Sequence, residues 1–105
     1  MSSLQTQRIL VDESLPVELA EGLGLPFVRT VRGLGWSSLK NGELIRRAVL
    51  AGFTFFLTAQ NIRSSEIGVI VLRGGTQIQD VRPLIPSILA AISLIGPGQV
   101  MRLGT

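Results

Sequence analysis

Three runs of this chain are apolar with almost no alternation: Ile9, Leu10 and Val11; FTFFLT at 53–58; and EIGVIVLR at 66–73. A strand with one wet face alternates apolar with polar residues, whereas a strand covered on both faces reads as a near-continuous apolar run. Such strands belong inside a parallel sheet with helices on either side. The intervening segments agree. Ser14 is expected to cap a helix opened by Pro16, with Val17, Leu19, Ala20 and Leu23 as its apolar side and Gly22 and Gly24 as its stop. Residues 26–31 (PFVRTV) alternate and predict an edge strand ended by Gly33 and Gly35. Leu39, Leu44, Ile45, Ala48 and Val49 carry helical period from about Asn41 to Gly52. Gly74 and Gly75 turn the chain, and Asp80 is a candidate cap for a helix over 81–95 with Pro83 and Pro86 early. A last strand covers 99–103. The order β-α-β-α-β-β-α-β predicts a three-layer α/β/α sandwich with a mostly parallel central sheet and right-handed crossovers. One link does not fit. Only residues 59–65 separate two buried strands, and a parallel crossover normally takes a dozen or more. Either that pair is antiparallel or a segment is shortened.

The chain has 105 residues, 46% of them hydrophobic and 16% charged, enough apolar material for one core. One domain over residues 8–105 is expected, preceded by a flexible N-terminus at 1–7. Cysteine and histidine are both absent, which excludes disulfides, thiol nucleophiles, serine–histidine triads and imidazole metal sites. Any metal must be held by oxygen. The longest apolar stretch, 84–95, is interrupted by Pro86, Ser87 and Ser93 and falls short of the roughly 20 residues of a membrane span. The N-terminus has no signal-peptide pattern, so a soluble cytoplasmic protein is expected. Ten Lys plus Arg against seven Asp plus Glu give a mild bias toward polyanions.

In open parallel sheets, ligands collect beyond the carboxyl ends of the strands. Asp12 and Glu13 stand at that end of the first strand, and Thr58, Gln60 and Asn61 at that end of the third. Carboxylate, hydroxyl and amide oxygens suit Mg²⁺ or Mn²⁺, which can offset phosphodiester charge and acidify an attacking water. Asp12 serves equally as a turn residue. Glu43 opens the second helix, where it meets the positive helix end and lies one turn from Arg47. Lys40, Arg46 and Arg47, with Arg29, Arg32 and Arg63, either follow phosphates along a groove or form a solvated face. Trp36 either stacks a base or plugs the space beneath a loop.

ILVDESLP at 9–16, TVRGLGWSSLKNGEL at 30–44, AGFTFFLT at 51–58 and the ending at 80–104 resemble the small PIN-like domains of prokaryotes. Those domains begin with an ILLDE-type strand and a Pro-led helix, enter the second helix through a G-W/L-x-x-x-x-N/D-x-E segment and end the third strand in a T-x-D-type motif. Many are assigned as toxins of VapC-like toxin–antitoxin systems. The resemblance therefore implies an Mg²⁺- or Mn²⁺-dependent ribonuclease, acting on RNA and restrained by an antitoxin protein, with a homodimer also in view. It implies Asp12 and Glu43 as catalytic metal ligands and a polar neighbour at Asn41; by their own positions and charge Lys40, Thr58, Arg46 and Arg63 are expected around the substrate.

The chain departs from the pattern after Leu57 and Thr58, where AQNIRSSE brings no acidic residue before Glu66. The third carboxylate is missing at the place where the crossover is too short. An ion on two carboxylates is held loosely and orients water poorly, so weak or no cleavage is expected. The alternative is a non-catalytic PIN-like protein-binding module.

Overall fold

The computed structural model describes residues 4–104; positions 1–3 of the expected flexible N-terminus lie outside them. Leu4–Thr6 form a 3-10 turn, and Leu4 packs against the core. The central elements follow in order: β1 (Ile9–Val11), α1 (Glu18–Gly22), β2 (Val28–Thr30), α2 (Asn41–Leu50), β3 (Phe55–Thr58) and β4 (Gly68–Arg73). The chain finishes with α3 (Ile78–Val81), a 3-10 turn (Arg82–Leu84), α4 (Ile85–Leu94) and β5 (Val100–Gly104). No helix among the described residues is long and apolar enough to cross a membrane.

All five strands are parallel, in the order β2-β1-β3-β4-β5. The apolar runs occupy the middle, as their lack of alternation requires: every residue of β1 and β3 is buried, and in β4 all but Arg73. The β3–β4 pair, for which an antiparallel arrangement stood open, is parallel, so its crossover, residues 59–67, is a shortened one without a helix. Ile62 takes the place of helical packing and is buried with Leu44, Ala48 and Phe56.

The helices are unevenly shared between the faces. Leu19 and Leu23 near α1, Val81 of α3 and Ile88, Ala91 and Ile92 of α4 pack on Ile9, Val11, Phe55, Leu57, Ile70 and Leu72. On the opposite face Leu10 and Phe56 pack with Leu44 and Ala48 of α2 and with Phe53, Ile62 and Ile67, and α2 is the one helix on that side among the described residues. From β1 the chain steps to one side of the sheet over the α1 face; from β4 it steps to the other side over that same face. The two crossovers are therefore of opposite hand, and the expectation of uniformly right-handed connections fails at one of them. In consequence no helix among the described residues covers β4 and β5 on the α2 face.

Two caps differ from expectation. Val17, not Ser14, precedes α1, because the Ser14 hydroxyl is drawn to Asp12 Oδ2 at 2.7 Å. Asp80 is the third residue of a capping box whose cap is Gln77: the Gln77 N–H donates to Asp80 Oδ2 at 3.2 Å. Of the helix expected over 81–95, with Pro86 as an alternative start, α4 takes 85–94: the 3-10 turn containing Pro83 precedes it, and Pro86 sits in its first turn, where a missing N–H is harmless. Gly52 closes α2 with φ of +87°, a conformation open to glycine.

Candidate functional site

With strand order 2-1-3-4-5 the chain leaves β1 for one side of the sheet and continues on the other. The crevice between the carboxyl ends of β1 and β3 is thus the usual ligand position. Here it is bridged. Thr58, fully buried at the end of β3, donates its hydroxyl to Asp12 Oδ2 at 2.8 Å, and Ser14 donates to the same oxygen. The Glu13 N–H donates to Asp12 Oδ1 at 2.9 Å. The hydroxyls are used in turn: the Ala59 N–H donates to Ser14 Oγ and the Gln60 N–H to Thr58 Oγ1, each at 3.0 Å. Asp12 is only 7% exposed. A buried carboxylate needs such donors, and these come from the end of β3 and from the loop that follows β1.

Glu13 turns outward, accepting from Ser37 Oγ at 3.0 Å and pairing with Arg32 at 3.5 Å. Arg32 is largely exposed, so that pair contributes little. Asp12, Glu13, Thr30 and Arg32 line a hollow of about 110 Å³.

Glu43 lies elsewhere. Leu44 and Ala48 are the buried residues of α2, which turns Glu43 outward, into a shallow hollow with Arg46, Arg47 and Leu50. No described hydrogen bond joins it to Asp12, and the two carboxylates line separate hollows. Lys40 is exposed at the N-cap position of α2 without a side-chain cap bond. Thr58 is engaged inward with Asp12. Asn41, Arg46 and Arg63 are brought together: they line one cleft of about 460 Å³ between α2 and the 59–67 segment, floored by Ile45, Val49 and Ile62. Above it Asn41 Nδ2 donates to Gln60 Oε1 at 3.0 Å. Trp36 packs against the α2-side core, edge-on to Phe53 with ring centroids 6.1 Å apart, so it is a plug.

A divalent ion of the kind the resemblance implies needs several oxygens with free lone pairs. Asp12 already accepts three hydrogen bonds, out of about four lone-pair sites on a carboxylate. Among the described residues no group of three or more acidic side chains comes together. This donor set does not fit a resident Mg²⁺ or Mn²⁺. Ser14 and Arg102 were missed from sequence as functional neighbours. A hydroxyl two residues after a strand-end aspartate is a readable signal for the first; the second depends on the parallel register of β5.

Fold and site together define a doubly wound parallel α/β domain whose switch-point crevice is closed by its own side chains and whose open cleft lies beside α2. No family model matches the chain, and the comparisons with curated proteins and with solved structures return no match.

Proposed function

We propose that the chain is a non-catalytic PIN-like module that binds a partner protein in the cytoplasm. The observation that carries this reading is the closure of Asp12: both oxygens of the carboxylate nominated for metal binding are held by donors of the fold itself. The other nominated ligand, Glu43, faces solvent on the outer side of α2. What the nuclease reading also required, cationic and amide side chains in one cleft, is present, and it serves binding without cleavage.

Calorimetric titration with Mn²⁺ should give no saturable binding, and a labelled RNA should survive incubation with the protein and Mn²⁺. Saturable binding lost in Asp12→Asn, together with Mn²⁺-dependent RNA cleavage lost in the same variant, would overturn the proposal and restore the metal-dependent ribonuclease.

A further inference from the structure

The geometry points to the cleft between α2 and residues 59–67 as the docking surface, and to an acidic amphipathic helix of another protein as its occupant. This inference rests on the binding-module reading and adds the place and the chemistry.

The layer on the α2 side of the sheet is incomplete for two independent reasons. The β3–β4 crossover contains no helix, and the β4–β5 crossover passes over the opposite face. What remains beside α2 is a helix-adjacent trough with an apolar floor of Ile45, Val49 and Ile62 and a rim of Arg46 and Arg63. Ile45 and Val49 are one turn apart, so they present the ridge against which a second helix packs. The trough continues past Arg63 into a neighbouring cleft of about 440 Å³ that reaches Val100 and Arg102 of β5.

The charge on this side selects the occupant. Arg46, Arg63 and Arg102 border the two clefts, against the single carboxylate of Glu66. Arg46 and Arg63 engage no hydrogen-bond or ion-pair partner among the described residues. Arg102 makes one bond, to Asn61 Oδ1 at 3.1 Å, which turns its guanidinium toward the 59–67 segment. An apolar stripe flanked by Asp or Glu satisfies floor and rim together. A single-stranded nucleic acid fits less well, because such strands bind by stacking bases on aromatic rings and no aromatic side chain lines either cleft.

The test pans a random peptide library displayed on phage against the full chain, then measures the recovered peptides, fluorescein-labelled, by anisotropy. Recovered sequences should be net acidic with apolar residues at helical spacing. Their binding should weaken by about tenfold or more in the Arg46→Glu/Arg63→Glu double variant, and stay within about threefold of the parent in Arg46→Lys/Arg63→Lys. A peptide with its acids changed to Lys, measured on the unaltered protein, should lose binding whatever the variants do to folding. The docking surface is overturned by an absence of enrichment, by recovered peptides without acidic bias, or by peptides indifferent to the double variant. It is also overturned if a labelled oligouridine binds and loses affinity in that variant, which would make the cleft a nucleic-acid interface. These outcomes leave the binding-module reading standing; Mn²⁺-dependent cleavage would remove that reading itself.

Discussion

Asp12 Oδ2 accepts from two hydroxyls, Ser14 at 2.7 Å and Thr58 at 2.8 Å, and the second of these bonds ties β1 to β3 beneath the surface. Removing the carboxylate leaves a fully buried hydroxyl, a second hydroxyl and an N–H without their acceptor. Asp12→Ala should therefore lower unfolding free energy by about 2–4 kcal/mol, read from urea melts. Thr58→Val keeps shape and strand propensity but removes one donor to Asp12 and the acceptor of the Gln60 N–H, so a smaller loss of about 1–2 kcal/mol is expected. Parent-like midpoints in both would show that the cluster does not hold the crevice shut. The place of Asp12 was legible, because an apolar run that stops at an acid marks the end of a buried strand. Its partnership was not, since Thr58 lies 46 residues away and meets it only through the register of Val11 with Leu57. The outward direction of Glu43 could have been read: a helix that buries Leu44 and Ala48 turns Glu43, Arg46, Arg47 and Leu50 away from the sheet.

The β3–β4 link shows how an element can be replaced by a single side chain. In a link without a helix, Ile62, 8% exposed, carries the contact with Leu44, Ala48 and Phe56. Ile62→Ala should lower stability by about 2–4 kcal/mol, whereas Leu50→Ala, at an 83% exposed position of α2, should stay within about 0.5 kcal/mol; chemical denaturation measures both. At this scale the sequence was informative: all five strands and α2 fall within a few residues of the periodic segments, and the short link stood out as anomalous. What apolar content leaves open is strand direction. Gly68 suits the register that is found: a Cβ there would approach the Phe55 ring to 2.5 Å, and Phe55 and Gly68 are register partners in the parallel pair. The late start of the last helix was legible in two prolines three residues apart, Pro83 in the 3-10 turn and Pro86 in the first turn of α4, whereas α3 before them was not.

Taken whole, the molecule is lopsided: α1, α3 and α4 cover one face of the sheet and α2 the other. The local rules of periodicity and capping act within an element, so they say nothing about which face a crossover chooses. The same shortcut between β3 and β4 bears on the order in which the chain assembles. Phe55 pairs with Gly68, whereas Ile9 pairs with Val28, Val69 with Val100 and Ile9 with Phe55, so β3 and β4 are the partners joined by the shortest stretch of chain. Loop-closure entropy rises with that separation, which makes this contact the least demanding to form from the denatured ensemble. Val69→Ala should then slow refolding, with a φ-value of about 0.5 or more, while Val28→Ala on the outlying β2 should chiefly accelerate unfolding; stopped-flow fluorescence of Trp36 reads both limbs. The reverse pattern would place the kinetic nucleus at β1 and β2. On that expectation a connection that holds no helix is the seed from which the rest of the sheet grows outward.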